Sequence, residues 1–350
     1  MRAAVIGVLA EQPDCRPAEP GEFTRRAFIN GRMDLTAVEG LADLIDAETE
    51  AQRRQAVRQL EGGLGRRAES WRDQLIGALA YLEASLDFSD EDDVPLDLAP
   101  RVAEAIATVL DELMPALADA GRGEHLREGF HVVLAGPPNA GKSTLLNAIA
   151  QRDVAIVSPV PGTTRDSIEV RCDLGGVPVT LVDTAGLRDS DDVIEIEGVR
   201  RSRQQIGRAD LVLWLCPADA PEMPCFQREG NIIVIHSKAD LADSPPERRS
   251  EMAVSALDSK SLGSLLSLIE DRARSSLGSG DAIVTRQRQR VLLSQVVEHL
   301  QRSVPNLDSG MMELAAEDIR IALRCLGQVS GRVDVDDVLD RIFGAFCIGK

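Results

Sequence analysis

The sequence contains 350 residues, of which 44% are hydrophobic and 3% aromatic, and its formal net charge is −18 at pH 7. The hydrophobic share supports buried cores, and the scarcity of aromatic side chains favours aliphatic helices and an α/β core over a β-sandwich. The strong negative charge argues against DNA binding and against unaided binding to any nucleic acid, because counterion release needs clustered Lys and Arg.

Apolar periodicity predicts helices in the first third of the chain. Apolar side chains recur every three or four residues over positions 60–86 and again over positions 102–117, and each run predicts one helix. The second helix is expected to end at AGRGE, residues 120–124. Residues 34–52 are predicted to form a single helix with Asp34 as its N-cap and with these side chains facing inward: Leu35, Val38, Leu41 and Ile45.

From residue 130 the pattern changes to short β-rich runs that alternate with helical ones. The runs are FHVVLAG, DVAIV, SIEVRC, VPVTLVD, ADLVLWLC, NIIVIHS and EMAVSA. Such alternation is typical of an α/β domain with a mostly parallel sheet. Helical periodicity returns after residue 281. The sequence therefore predicts an α/β domain that is inserted into an all-α helical domain.

A phosphate-binding loop is predicted at GPPNAGKS, residues 136–143, which fills the pattern G-x-x-x-x-G-K-S between a strand and a helix. The two glycines let backbone N–H groups turn towards phosphates at the N-terminus of the helix. Lys142 would neutralise the β- and γ-phosphates, and Ser143 would bind Mg²⁺.

Two further segments fit the same nucleotide site. VDTAG, residues 182–186, ends a predicted strand, so Asp183 could hold Mg²⁺ through water and the Gly186 N–H could meet the γ-phosphate. PGTTRD supplies Thr163 and Thr164, one of which would close on Mg²⁺ when GTP is bound. We expect Thr164 to be that residue.

Guanine recognition is predicted for SKAD, residues 237–240, with SAL from Ser255 as the supporting loop. Asp240 can accept two hydrogen bonds from guanine that adenine cannot donate, and such sites discriminate strongly. The first position of this motif is usually Asn. Ser237 keeps only part of the hydrogen-bonding capacity of Asn, which would cost about 1 kcal/mol of nucleotide affinity per lost bond.

The hydrolytic machinery lacks two common groups. Leu187 follows DTAG where small GTPases have a water-orienting Gln, and no arginine finger can be assigned. Asn139 and the SPVPGTT segment could instead hold a monovalent cation, or Asn139 could simply cap its loop. In the acidic segment DSDDVIEIEG, Glu195 and Glu197 are candidates to orient water, and a solvated acidic loop is the alternative.

Cysteine and histidine spacing indicates neither a disulfide framework nor a zinc site, because the six cysteines form no C-x-x-C pair and the four histidines form no H-x-x-x-H pair. The cysteines without a disulfide pattern favour a cytoplasmic protein, and the lack of an apolar run long enough to cross a membrane argues against membrane association.

The chain ends in FCIGK, which places Cys347 where a prenylated cysteine would lie, but Gly349 and Lys350 fit that motif badly. A frayed tail is the alternative.

Three signatures together resemble the MnmE (TrmE) family of tRNA modification GTPases. They are GEFTRRAFINGRMDLTAVEGLADLIDAET before the phosphate loop, the nucleotide motifs in the middle, and GRVDVDDVLDRIFGAFCIGK at the end. The resemblance implies a GTPase with a tetrahydrofolate-binding domain, and potassium-dependent pairing of its G domains into a homodimer. With the FAD-containing partner MnmG, such a protein adds a carboxymethylaminomethyl or aminomethyl group to the wobble uridine of certain tRNAs.

The resemblance also implies roles for individual residues. Mg²⁺ would lie on Ser143 and Thr164, and Glu195 would orient water and act with Lys142 in catalysis. The implied K⁺ ligands are Asn139, Ser158, Val160 and Thr163. Folate would contact Arg32 and Lys350, with a possible role for Cys347 in modification. The implied GTP-binding residues are Asn139, Ala140, Gly141, Lys142, Ser143, Thr144, Ser158, Thr163, Thr164, Asp183, Thr184, Ala185, Gly186, Ser237, Lys238, Asp240, Ser255 and Ala256.

The same resemblance sets the expected domain boundaries. They are residues 1–30 for a remnant of the N-terminal folate-binding and dimerisation domain, 31–125 and 281–350 for the two parts of the helical domain, and 126–280 for the G domain. Because the resemblance to the family begins near CRPAEPGEF, folate binding is expected to be weak or absent. Two other functions stay open: a ribosome-assembly switch of the Era or Der type, and a GTP-binding scaffold for MnmG.

Overall fold

The computed structural model describes residues 2–13, 15–87, 99–156, 169–183, 204–207, 209–223, 231–241, 252–277 and 282–333. The chain divides into two compact units. The helical unit comprises Met1–Ala47, Arg53–Glu124 and Asp281–Lys350, and the α/β unit comprises Glu48–Gln52 and His125–Gly280. The α/β unit thus interrupts the sequence of the helical unit, as the predicted fold class requires.

The described helices follow the apolar periodicity of the sequence. They are α1 (Arg2–Ala10), α2 (Glu22–Ile29), α3 (Leu35–Asp46), α4 (Glu50–Leu60), α5 (Gly63–Asp87), α6 (Ala99–Ala118), α7 (Ala120–Glu128), α8 (Lys142–Ala150), α9 (Ser259–Leu277), α10 (Gln287–Asp308) and α11 (Met312–Ser330). The core of the helical unit lies between α5, α6, α10 and α11, where Trp71, Ile106, Leu300 and Ile319 are fully buried. Among the described residues, no helix has both the length and the apolar character needed to cross a membrane.

The single helix predicted over residues 34–52 is two helices. Its start is confirmed, since the Asp34 carboxylate accepts a hydrogen bond from the Ala37 N–H at 2.7 Å. The break comes at Thr49, whose hydroxyl accepts from the Gln52 N–H at 3.3 Å while Gln52 Oε1 accepts from the Thr49 N–H at 3.1 Å. This reciprocal pair is a capping box, which begins a new helix.

Two assignments at helix ends were wrong. Ile45, which was expected to face inward, is 38% exposed in the last turn of α3. Leu60 belongs to the end of α4 and not to α5, since Gly62 adopts a left-handed conformation with φ 82° between the two helices. Within α5 the predicted stripe is buried at Leu64, Ala68, Trp71, Leu75 and Leu82, and partly buried at Leu79 and Leu86.

Helix α6 ends at Ala118, just before AGRGE, as predicted. The segment AGRGE itself was not expected to be helical, but it begins a further short helix, α7. Gly123 is needed there because a Cβ atom at this position would lie 2.1 Å from the Val284 carbonyl oxygen. Gly123, which the sequence suggested as a helix breaker, therefore allows the distant segment around Val284 to pack close to the helix.

A six-stranded sheet forms the centre of the α/β unit, in the order β2-β3-β1-β4-β5-β6. The strands are β1 (Phe130–Ala135), β2 (Glu169–Leu174), β3 (Val177–Asp183), β4 (Leu211–Pro217), β5 (Ile232–Ser237) and β6 (Met252–Val254). All neighbours pair in parallel except β2 and β3, which form a hairpin through Gly175 and Gly176. In the described part of DVAIV, the expected strand is reduced to one isolated bridge, from Ala155 to Cys172. The carboxyl ends of the five parallel strands meet at one edge, where ligands bind in open α/β sheets.

A buried charge cluster holds the helical unit together. Glu39 of α3 is 3% exposed and accepts hydrogen bonds from Arg288 at 3.1 and 3.0 Å and from Gln289 at 2.7 Å. Arg288 also donates to the carbonyl oxygens of Gln328 and Val329, near the end of α11. The cluster therefore fixes α3, the start of α10 and the end of α11 to one another.

Removing Glu39 should destabilise the helical unit strongly. Glu39→Ala is expected to lower the free energy of unfolding by about 3 kcal/mol, because Arg288 would lose the carboxylate that compensates its buried charge. Urea unfolding monitored by Trp71 fluorescence in a Trp214→Phe background would measure this loss. Glu83→Ala is the matched control, since Glu83 forms a 3.0 Å pair with Arg320 that is nearly half exposed, and it should cost less than about 1 kcal/mol. Equal losses for the two variants would contradict the role given to Glu39.

Candidate functional site

The phosphate loop joins β1 to α8 at the centre of the sheet, as predicted. Gly136 has a φ of 146°, and a Cβ atom there would lie 2.6 Å from the Leu215 carbonyl oxygen, so no side chain fits. Gly141 has a φ of 89° and immediately precedes α8. Asn139 also takes a left-handed conformation, with a φ of 62°, which asparagine tolerates better than most residues. The loop therefore curls back over the N-terminus of α8.

Lys142 occupies the interior of this loop. Its Nζ atom donates to the carbonyl oxygens of Gly136 at 3.0 Å and of Pro137 at 2.9 Å, and the residue is 7% exposed. Burial lowers the pKa of Lys142, while the charge of the nearby Asp183 acts in the opposite direction. An anion bound by the loop would supply the negative charge that this buried ammonium lacks.

Ser143 and Asp183 meet next to the lysine. The Ser143 hydroxyl donates to Asp183 Oδ2 at 2.5 Å. The other carboxylate oxygen, Asp183 Oδ1, is buried and has no hydrogen-bond partner within the described part of the chain. A hydroxyl and a carboxylate oxygen are the hard ligands that Mg²⁺ prefers. The residues present therefore fit a Mg²⁺ ion beside the phosphate loop.

The predicted base-reading residues lie at the carboxyl ends of β5 and β6, which pair through Ser237 and Val254. Ser255 Oγ donates to Asp240 Oδ1 at 2.6 Å and accepts from the Leu257 N–H at 3.2 Å. The Asp240 carboxylate is thus held by the supporting loop, which also contains Ala256. This arrangement leaves Asp240 fixed in orientation, as a group that must recognise one base edge needs to be.

Ser237 makes a contact that sequence reasoning missed. Its hydroxyl donates to the Ala140 carbonyl oxygen at 2.7 Å, and both residues are buried. The serine therefore ties the base-reading loop directly to the phosphate loop. Although Ser237 has fewer hydrogen-bonding groups than Asn, its hydroxyl still makes this bond to the phosphate loop.

Comparison with known proteins decides the family. A family model described as the MnmE helical domain matches residues 35–347. The tRNA modification GTPase MnmE of Methylobacterium sp. (strain 4-46) is 59% identical over 353 residues, which cover 100% of this chain and 80% of that protein. The protein of the same name from Methylorubrum populi is 56% identical over 351 residues, which cover 100% and 79%. The chain belongs to the MnmE family.

Solved structures are also similar to this chain. Era of Aquifex aeolicus, bound to GDP and aluminium fluoride, is 23% identical and covers 48% of this chain and 67% of its own, with a TM-score of 0.35. The G domain of the T. maritima iron transporter FeoB is 25% identical and covers 41% and 98%, with a TM-score of 0.33. The MnmE matches extend through the helical segments, so the family assignment replaces the alternative of an Era- or Der-type protein.

Several residues implied by the MnmE resemblance lie outside the described residues. They are Ser158, Val160, Thr163, Thr164, Thr184, Ala185, Gly186, Glu195, Cys347 and Lys350, and the alternative candidate Glu197 is another. Within the described ranges, Thr144 lies exposed in the first turn of α8, and Asn139, Ala140 and Gly141 precede it in the loop. The structure thus brings together the residues, among those it describes, that were predicted to bind phosphate, magnesium and the base.

Arg32 lies in the helical unit, between α2 and α3. It is exposed, and its N–H donates to the Ala27 carbonyl oxygen at 2.9 Å. Gly331 at the end of α11 packs against the residues flanking Arg32, because a Cβ atom there would lie 2.7 Å from Leu35 Cβ and 2.9 Å from the Phe28 ring. The end of α11 therefore approaches the segment that carries Arg32.

Proposed function

We propose that this chain binds and hydrolyses GTP and uses the cycle to support modification of the wobble uridine of certain tRNAs. The observation that carries the proposal is the placement of Lys142, the Ser143–Asp183 pair and Asp240 along the carboxyl edge of one sheet. The curated relatives are named tRNA modification GTPases, which supports the choice of GTP and tRNA. A cytoplasmic location follows from the proposed tRNA substrate.

In this proposal the phosphate loop holds the triphosphate. Backbone N–H groups of the loop and the Lys142 ammonium bind the β- and γ-phosphates. Ser143 and Thr164 would hold Mg²⁺, with Asp183 bound through water. When bound, Mg²⁺ neutralises negative charge that develops on the phosphates. The Gly186 N–H would meet the γ-phosphate.

Asp240 would select guanine, and its replacement should change the preferred base. Asp240→Asn is expected to shift preference from GTP towards xanthosine triphosphate by about 10²-fold or more, because the amide donates where the carboxylate accepts. Competitive nucleotide binding by the full chain would measure the shift. Asp271→Asn, at an exposed position on α9, is the matched control and should leave the preference unchanged. An unaltered preference in the Asp240 variant would show that SKAD does not read the base.

A potassium ion is proposed to supply positive charge at the phosphates. The proposed ligands are Asn139, Ser158, Val160 and Thr163. The left-handed conformation of Asn139 within the phosphate loop supports this choice. The same ion would support pairing of two G domains, and light scattering of the full chain with GDP and aluminium fluoride in KCl and in NaCl would test that pairing.

GTP hydrolysis should therefore depend on the monovalent cation. Turnover in KCl is expected to exceed turnover in NaCl at least about tenfold, because the sequence has neither the usual Gln nor an assignable arginine finger, and charge neutralisation at the phosphates is a major catalytic term. Asn139→Ala should abolish the difference, whereas Asn147→Ala, at an exposed position on α8, should keep it. Equal turnover of the wild-type chain in the two salts would exclude the potassium site.

The tRNA reaction is proposed to require the FAD-containing partner MnmG. Together the two proteins would add a carboxymethylaminomethyl or aminomethyl group to the wobble uridine. Mass spectrometry of tRNA nucleosides would test this proposal after reconstitution with MnmG, GTP, a reductant and a one-carbon donor, together with ammonium for the aminomethyl group or glycine for the carboxymethylaminomethyl group. Hydrolysis of GTP without any nucleoside modification would favour the scaffold function instead.

A tetrahydrofolate derivative is proposed to bind through Arg32 and Lys350, with Cys347 acting in modification. The packing of Gly331 beside the residues that flank Arg32 places the end of α11 close to Arg32. Calorimetry with formyl-tetrahydrofolate would test it. Binding that is unchanged by Arg32→Ala and by removal of Lys350 would exclude these contacts.

A further inference from the structure

The turn after β4 lies beside the base-reading loop because of the sheet register. β4 and β5 are parallel neighbours and their pairing ends with Pro217 opposite Ser237. The Ala218 N–H extends this pairing by donating to the Ser237 carbonyl oxygen at 3.1 Å. The next residue of the turn, Asp219, therefore stands next to Lys238.

Asp219 and Lys238 form an ion pair at this edge. The distance from Lys238 Nζ to Asp219 Oδ2 is 2.6 Å, and the lysine side chain is 27% exposed. The hydrogen bond from Lys238 lowers the pKa of Asp219. Lys238 has a φ of 57°, a left-handed conformation that is unfavourable for a lysine and persists only when its surroundings hold it. The backbone and the ammonium of Lys238 are thus both fixed, and so is the four-carbon stem between them.

Side-chain contacts among the described residues tie the base-reading loop to its neighbours. Ser237 bonds to Ala140 of the phosphate loop, and Asp240 bonds to Ser255 of the supporting loop. Both of these contacts join residues that the nucleotide motifs contain. A third contact uses Asp219, which belongs to none of those motifs and which sequence reasoning did not identify.

We propose that Asp219 is a positioning residue for the binding of guanine nucleotides. Its ion pair with Lys238 holds the four-carbon stem of that lysine in place, so that the stem is already ordered to contact the base when the nucleotide binds. The proposal rests on the proposed function, since it takes the nucleotide to be GTP or GDP. Ordering a flexible side chain before the ligand arrives reduces the cost of binding. An aspartate whose only effect was its negative charge would instead repel the nucleotide phosphates, so the two roles predict opposite effects on affinity.

The test is the dissociation rate of a fluorescent GDP analogue from the full chain. Asp219→Asn is expected to raise this rate about threefold to fivefold, which is the range for loss of a partly exposed ion pair. The KM for GTP should rise by a similar factor while kcat stays constant, because the group that Asp219 positions binds the base and not the reacting phosphate. Glu270→Gln is the matched control, since Glu270 forms an exposed pair of the same length, 2.6 Å, with Arg274 in the same unit.

A double-variant cycle separates positioning from general electrostatics. In a Lys238→Ala background, Asp219→Asn should have no further effect on the dissociation rate, because no lysine stem remains to be positioned. An unchanged or slower rate for Asp219→Asn alone would overturn the proposal, as would a full effect in the Lys238→Ala background. Failure of the wild-type chain to bind GDP or GTP would instead overturn the proposed function, and it would be evident before any variant was measured.

Discussion

Replacing Lys142 by alanine is expected to weaken GTP binding by about 10²- to 10⁴-fold. The ammonium would make two charge-assisted hydrogen bonds, one to each of the outer phosphates, and such bonds contribute about 1.5 to 3 kcal/mol each. The position of Nζ supports this estimate, since it already lies inside the loop, next to the carbonyl oxygens of Gly136 and Pro137. Calorimetric titration of the full chain with a non-hydrolysable GTP analogue would measure the loss.

Two controls separate lost binding from lost folding. Lys260→Ala, at an exposed lysine of the same unit, should bind GTP as the wild type does. Nucleotide-free Lys142→Met should melt no lower than the wild type, because burial lowers the pKa of this lysine and so opposes its charged form in the folded state. Nearly normal GTP affinity in a folded Lys142→Ala variant would contradict the assignment of the phosphate loop.

Replacing Glu195 by alanine should slow GTP hydrolysis by about 10²- to 10⁴-fold and leave nucleotide affinity nearly intact. This is the range that a group orienting or deprotonating the attacking water contributes. The assignment comes from the family pattern counted from Asp183, and Glu195 lies outside the described residues. Single-turnover hydrolysis, measured together with the affinity for a GTP analogue, would separate the chemical step from binding.

Glu197→Ala is the matched control for Glu195. The two glutamates lie two residues apart in the same acidic segment, so a general effect of lost charge should appear in both variants. Slow hydrolysis only in the Glu197 variant would show that the register through this segment is wrong. Unimpaired hydrolysis in both variants would remove the segment from the mechanism.

The elements that could be predicted from sequence are those governed by local rules. β1, the phosphate loop and α8 follow one another because a buried strand, two glycines with positive φ and a helix are all encoded within about twenty residues. The Asp34 cap is local in the same sense, since its partner is the Ala37 N–H. The position of SKAD at the end of β5 could be predicted for the same reason.

The features that sequence reasoning missed depend on partners distant in the chain. The start of α7 within AGRGE was missed, and so was the close approach of Gly123 to the Val284 carbonyl oxygen, of which the local periodicity carries no trace. The Glu39 cluster joins residues almost 250 positions apart. The break before α4 is different, because Thr49 and Gln52 form a local capping box that the sequence did contain.

Asp219 shows what strand register adds to a motif search. In the sequence it is one acidic residue in an undistinguished turn after β4. Only the pairing of Pro217 with Ser237 brings that turn beside Lys238. A search for residues that flank the carboxyl ends of neighbouring parallel strands could find such supporting groups once the strand order is known.

The most direct test of the account is the nucleotide selectivity of hydrolysis by the wild-type full chain. Phosphate release should be measured with GTP and with ATP, each in MgCl₂ and KCl. We expect turnover of GTP and at least about 10³-fold slower turnover of ATP, because Asp240 requires hydrogen-bond donors that adenine does not present. Equal turnover of the two nucleotides, or hydrolysis of neither, would contradict the proposal that this chain is a guanine-specific GTPase.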